Sequence, residues 1–350
     1  MRSDKHILWL TPGFPGSVED DSTTPTIQNL ALAFKRAHPE ITLTIVSIHF
    51  PFAPDAYVWN EISVHAAGGA NARYPMRFFV WRRVRKLLEK IHSEKRIDLI
   101  HSFWYSEAAL LANRFCKKNN LPHACTLMGQ DVQQSNRYLN VLRKAQMIKV
   151  AISERAANDF KQSTGTSVEA IIPFGVEPVA EQHALRTIDV LGVGSFIKLK
   201  RFDWFLEIVA AVKVKHPQLK VTLVGDGAEM ETLRKMISEN ELGENVTLSG
   251  WLKRKEVLNL MARSKIFLHT AESEGMGYVF AEAAARGCYL ASTPVGIASS
   301  SESWFVSEDK TQLEKQISTW LETELKFKSR VMYAIEDTAN AYVELYEKEL

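Results

Sequence analysis

Short apolar runs rich in β-branched residues alternate along this chain with longer stretches whose apolar positions recur at helical spacing. The runs stand at residues 7–10, 41–48, 97–101, 124–127, 148–153 and 170–172, then at 190–193, 220–224, 246–248, 266–269 and 288–291. Each reads as a strand. The spacing predicts helices over 26–37, 76–93 and 109–119, from 154 onward, and over 203–214, 256–264, 278–286, 311–325 and 334–350. Residues 51–74, with Gly68-Gly69 in the middle, read as irregular. The polar run 181–186 marks a linker, with a second domain starting at Thr187. Strand alternating with helix predicts an α/β protein, and 350 residues are enough for two domains.

The stretch 265–296 concentrates the candidate chemistry. Its apolar run ends at an acidic, glycine-bearing turn, a helix follows, and Gly287 is placed to stop that helix. Ligands of doubly wound domains sit where loops leave the carboxyl ends of strands. Two carboxylates stand here. Both Glu274 and Glu282 suit a solvated surface, as most glutamates do. Glu282, however, is flanked by Val279, Phe280, Ala281, Ala283, Ala284 and Ala285. A carboxylate in so apolar a helix needs a partner, a ligand or solvent. The turn Gly275-Met276-Gly277 presents backbone N–H groups at a helix start, which suits a diphosphate.

Other positions admit two readings each. Gly13 and Gly16, in the loop after the first run, either admit a ligand close to the backbone or serve the turn. In the 76–93 helix, Arg82, Arg83, Arg85, Lys86 and Lys90 interleave with Phe78, Phe79, Val84, Leu87 and Leu88. That pattern gives a solvated face on a packed helix, or a surface that touches anionic lipid. His101 closes a strand, where it is either structural or delivered to a ligand. Asp131 caps the helix that follows or contacts a ligand. Lys198, Lys200 and Arg201 form a basic run after the 190–193 strand, either plain surface charge or a diphosphate clamp.

The Glu274/Glu282 pair within SEGMGYVFAEAAARG, followed by ST-PVG, resembles the paired-glutamate motif of retaining glycosyltransferases of the GT-B fold (family 4-like, glycosyl transferases group 1). VAISE at 150–154 and PFGVE at 173–177 resemble further family segments. The resemblance implies two Rossmann-like domains facing a central cleft. Residues 1–178 would form an acceptor-side domain, 187–333 a nucleotide-sugar domain, and 334–350 a helix crossing back to the first. It implies that Glu282 holds the donor ribose and that Glu274 contacts the donor sugar. Lys200, helped by Arg201, would meet the diphosphate with the 275–277 backbone. Gly225, in the Gly-x-Gly turn 225–227, and Trp251 or Leu252 would lie along the nucleotide. His101 and Asp131 would face sugar or acceptor. The chain departs from the pattern at Phe103 and Met128, where relatives carry His, and at Ser195, where they carry Arg. Its first loop also lacks adjacent glycines.

The function implied is transfer of a sugar from a nucleotide-diphosphate sugar to a saccharide or lipid-linked acceptor, without metal or other cofactor. A non-catalytic sugar- or nucleotide-binding relative is the alternative. A net charge of +2 gives no bulk case for nucleic-acid binding. Cys116, Cys125 and Cys288 show no metal-ligand spacing and read as buried small hydrophobes in a reducing compartment. The stretch Met1 to His6 leads into an apolar run too short for a signal peptide, and no run is long enough to span a membrane. A cytoplasmic protein, peripheral on the inner face of the membrane if the basic helix binds lipid, is the expectation.

Overall fold

The structure, a computed structural model, describes residues 5–179 and 185–350. Met1 to Asp4, and residues 181–184 of the linker expected at 181–186, lie outside the described residues. The chain divides into two compact units, one running to Gly175 and resuming at Tyr333, the other spanning Val176–Met332.

In the first unit the elements are β1 (His6–Gly13), α1 (Pro25–Ala37), β2 (Thr42–Phe50), β3 (Pro54–Trp59), β4 (Ile62–Ala67), α2 (Met76–Glu94), β5 (Leu99–Phe103), α3 (Glu107–Asn119), β6 (His123–Leu127), α4 (Tyr138–Val141), β7 (Ile148–Ala151), α5 (Glu154–Thr164) and β8 (Ala170–Ile171). The second holds β9 (Ile188–Val193), α6 (Phe202–Lys215), β10 (Val221–Val224), α7 (Met230–Glu239), β11 (Val246–Leu248), α8 (Arg254–Ala262), β12 (Ser264–His269), α9 (Tyr278–Ala285), β13 (Tyr289–Ser292), β14 (Trp304–Val306) and α10 (Lys310–Leu321). The last helix, α11 (Ile335–Glu347), belongs to the first unit.

The first sheet runs β3-β4-β2-β1-β5-β6-β7-β8 and is parallel except for β3, which pairs antiparallel with β4. The alternation of side chains across a strand decides its two faces. Leu8 and Leu10 join Val84, Leu88, Leu111 and Phe115 of α2 and α3 in one core. Trp9 points the other way, edge-on to Phe34 of α1. The hairpin β3–β4 replaces the irregular 51–74 segment expected from sequence. Most of β3 is exposed, so it shows no apolar face, and only Ile62, Val64 and Ala66 of β4 carry the strand alternation.

The second sheet runs β11-β10-β9-β12-β13-β14, with every pairing parallel. One face packs on α6, α7 and α10 through Phe205, Leu233 and Trp320. The other packs on α8 and α9 through Met261, Phe280 and Ala284. The chain leaves β9 toward β10 on one side and returns to β12 on the other. Loops diverge between β9 and β12, which makes that gap the topological switch point of the sheet. Helix α7 and strand β14 went unread in the sequence, although α7 sets Met230, Leu233, Met236 and Ile237 at helical spacing against the core; β14 has only three residues.

Candidate active site

Two loops flank the switch point of the second unit. One leaves β9 and carries Ser195, Lys200 and Arg201. The other leaves β12 and carries Glu274 and the Gly275–Gly277 turn. Backbone and hydroxyl bonds tie them together: Glu272 N–H donates to Leu199 O at 2.9 Å, and Thr270 Oγ1 donates to Arg201 O at 2.8 Å. The result is a three-residue cluster. Lys200 Nζ forms a short ion pair with Glu274 Oε1, and His269 Nε2, at the end of β12, lies 2.9 Å from the same oxygen. Burial alone would push the Glu274 carboxyl up. The His269 hydrogen bond and the Lys200 charge outweigh it and hold that carboxyl at about 2. Burial lowers the pKa of His269, so its ring is neutral near pH 7.

Glu282 sits on α9, 6 % exposed. The partner its apolar surroundings demand is Arg254, the first residue of α8, whose Nη2 and Nε lie 2.7 and 2.9 Å from Glu282 Oε1. Gly277, at φ 73, opens α9; a Cβ there would come within 2.5 Å of the Phe280 ring. Met276 is buried, and its carbonyl accepts from Ile297 N–H. Gly296 makes that approach possible, because a Cβ on it would stand 2.1 Å from Met276 O.

The remaining donor candidates line the same carboxyl edge. Gly225 N–H donates to Gly250 O at 3.0 Å, and Phe196 N–H to Asp226 O at 2.8 Å, which joins the loops after β9, β10 and β11. Ser195 is exposed, Trp251 is 58 % exposed, and Leu252 packs at the border of the α8–α9 core. Arg201 lies over the Trp204 ring rather than on Glu274.

The first unit treats its candidates differently. Strand β5 continues two residues beyond the end expected at His101, so this residue lies mid-strand, paired in register with Trp9 on the face toward α11. Its Nδ1 meets Tyr346 Oη, and its Nε2 lies 2.8 Å from Thr126 Oγ1. Burial drives its pKa well below the ordinary value. Asp131 takes the Tyr105 N–H at 2.6 Å and the Met128 N–H at 2.9 Å, and burial pushes its carboxyl up against those bonds. Both residues are consumed within their own unit. Gly13 closes β1 with its carbonyl accepting from Thr11 and Thr24, while Gly16 is exposed beside Pro51.

Sequence reasoning missed Arg254 and His269. It also missed a buried cluster in the first unit. There Glu107, at the start of α3, pairs with His49 through Oε1 and accepts from Trp81 Nε1 at 2.7 Å, with Arg77 Nε 3.5 Å from Oε2. Nothing in the spacing announces it, since its members come from β2, α2 and α3. All three cysteines are free and buried, and burial raises their pKa values to between about 11 and about 12. Among the described residues, no group of three or more His, Cys, Asp or Glu is placed to hold a metal ion.

Two units of this kind, each a mostly parallel sheet with helices on both faces, define the GT-B class of α/β proteins. Residues 177–337 match the family described as Glycosyl transferases group 1. The fold is shared with sucrose-phosphate synthase from Thermosynechococcus elongatus (TM-score 0.73, 16 % identity, covering 98 % of each chain). It is also shared with the Anabaena protein HepE solved with UDP and glucose (TM-score 0.70, 18 % identity, covering 99 % of this chain and 95 % of that one). In sequence, 127 residues are 25 % identical to the gpi3 subunit of phosphatidylinositol N-acetylglucosaminyltransferase from Schizosaccharomyces pombe, covering 36 % of this chain. The chain matches 28 % and 32 % of the length of the first two curated relatives.

Proposed function

We propose that this protein is a retaining glycosyltransferase that moves a sugar from a nucleotide-diphosphate sugar to a saccharide or lipid-linked acceptor. The observation that carries the reading is the Lys200–Glu274–His269 cluster at the switch point of the second sheet, with Glu282 and Arg254 on the adjoining helices. A nucleotide-sugar has three features to recognise, and this edge offers a group for each. Glu282, fixed by Arg254, accepts from the ribose hydroxyls. Lys200 exchanges Glu274 for phosphate oxygens, with Arg201, Ser195 and the Gly275, Met276 and Gly277 N–H groups around it. Trp251 and Leu252 flank the base beside Gly225. Once released by Lys200, Glu274 turns to the sugar, and the leaving diphosphate takes the acceptor proton on the same face.

The named relatives support this direction: one is solved with UDP and glucose, and another is named for transfer to phosphatidylinositol. Among the described residues, no helix is long and apolar enough to cross a membrane. The reading has a cytoplasmic protein meeting an anionic membrane from one side, through the basic face of α2, whose Arg82, Arg83, Arg85 and Lys86 motivate it. The rival is a relative that binds nucleotide or sugar without turnover, and the saturation of His101 and Asp131 within their own unit favours it. A screen of nucleotide-diphosphate sugars across saccharide and lipid-linked acceptors, read by release of nucleoside diphosphate, separates the two. Acceptor-dependent release supports the transferase. Tight nucleotide binding with no release from any pair leaves the binding protein.

A further inference from the structure

Helix α2 begins with an unusual display. Tyr74, Met76, Phe78 and Phe79 are 90, 58, 62 and 57 % exposed within six residues. A patch of large apolar side chains on a surface marks something that covers it. Beyond it, α2 and α3 leave an apolar cavity of 370 Å³ between them. Trp81, Leu88, Leu111 and Phe115 line it, and Phe78 stands at its wall. Arg82 and Arg85 of α2 and Arg114 and Lys118 of α3 complete the lining against one acid, Glu89. Glu89 answers Lys118 at 3.1 Å and Arg85 at 3.9 Å. Arg114 lies over the Trp81 ring, and neither it nor Arg82 has a carboxylate partner among the described residues.

We propose that this groove seats one anionic phospholipid of the bilayer, its chain against Trp81, Leu111 and Phe115 and its phosphate between Arg82 and Arg114. An apolar slot with two uncompensated guanidiniums at its edge matches a chain joined to a phosphate, and guanidinium is the cation suited to phosphate. The exposed aromatic side chains next to it suit the bilayer interface. The Glu107 cluster explains why α2 holds this display: Trp81 and Arg77 are pinned to the start of α3, so the first turns of α2 stay in place without burying their apolar side chains. The inference rests on the membrane contact proposed above and is independent of the donor chemistry.

The test uses the full chain and two probes. Vesicles of phosphatidylcholine with and without phosphatidylglycerol report membrane contact by sedimentation. Lysophosphatidate of increasing chain length, kept below its micelle concentration, reports the groove by calorimetry. Affinity for lysophosphatidate is expected to rise by up to about fourfold per added methylene until the groove is full. Arg82→Glu and Arg114→Glu should each weaken binding to anionic vesicles at least roughly fivefold. Lys86→Glu, on α2 but outside the groove, should weaken lysophosphatidate binding hardly at all. Leu111→Trp, checked by its melting curve, should abolish the chain-length dependence. If that variant does not fold, Phe78→Glu and Arg114→Glu carry the test. Failure of wild type to sediment with anionic vesicles overturns the membrane contact and the groove together. Sedimentation that responds equally to Lys86→Glu and Arg114→Glu, with no chain-length dependence, overturns the groove and leaves only a basic surface.

Discussion

At the carboxyl edge of the second sheet, Lys200, Glu274, Glu282 and Arg254 are ion-paired with one another across loops and helix starts. In the first unit, His101 and Asp131 are consumed by Tyr346, Thr126 and backbone N–H groups. On the proposed function, the contrast is between charges that exchange partners with a ligand and polar groups that cannot. An ion pair at a loop can exchange one carboxylate for a phosphate, the cation staying matched while the freed Glu274 keeps its His269 hydrogen bond. A buried neutral histidine that loses its hydroxyl partners leaves unsatisfied atoms. On the proposed function, the residues that match the family motifs serve different ends in the two units: ligand exchange in the second and cohesion in the first.

The sharpest way to break this comparison is Glu274→Gln. Turnover should fall on the order of 100-fold, as for loss of an electrostatic group at the reacting centre, while affinity for free nucleoside diphosphate holds. Equal losses in steady-state kinetics and in calorimetry would erase the division of labour. Glu282→Ala comes next. It removes a charged acceptor, so donor affinity should drop by about 1.5–3 kcal/mol with the fold intact by circular dichroism. Unchanged affinity in the folded variant would sink the ribose assignment.

Lys200→Ala should weaken nucleoside diphosphate and nucleotide-sugar alike, by roughly tenfold for one charge-assisted hydrogen bond, and leave the nucleoside untouched. Lys198→Ala, in the same basic run but exposed, is the control and should titrate like wild type. In the first unit the expectation reverses. His101→Phe should lower unfolding stability by about 1–3 kcal/mol through the stranded Tyr346 hydroxyl and the lost Thr126 bond, with turnover per folded molecule unchanged. A large kinetic defect without a stability loss would return His101 to the reacting centre.

The smallest effect is a pH signature. The Glu274 carboxyl is held at about 2 against an ordinary 4.5. Its contribution to stability is therefore complete above about pH 4.5 and is lost as pH falls toward 2. His269, lowered from 6.5 by burial, loses stability in the same direction as pH falls below that value. Acid unfolding of Glu274→Gln, followed by fluorescence, should show a shallower fall below pH 4.5 than wild type. Parallel curves would mean that the carboxyl is not held down in the folded state.

Most strands and helices were legible in the chain because burial on one face imposes period 2 or 3.6 on the residues. Strand β3 shows the same cause in reverse, being mostly exposed and without a pattern, whereas α7 carries the pattern in Met230, Leu233, Met236 and Ile237 and still went unread. The stretch around Glu274 and Glu282 was legible as well, since it is contiguous and its glycines serve turns that only a residue without Cβ fits. Gly296 against Met276 is one such contact, made across 20 residues of the same stretch.

The partners were not legible. Glu282 announced that it needed one, but Arg254 lies 28 positions away, and His49 meets Glu107 across 58. Strand register alone turned His101 toward Trp9 and α11, a helix more than 200 positions distant that supplies Tyr342 and Tyr346. Local pattern specifies which face of an element is apolar. Which polar groups then meet is decided by how elements distant in sequence pack, and that pairing determines whether a histidine or a carboxylate is closed into the fold or left able to bind.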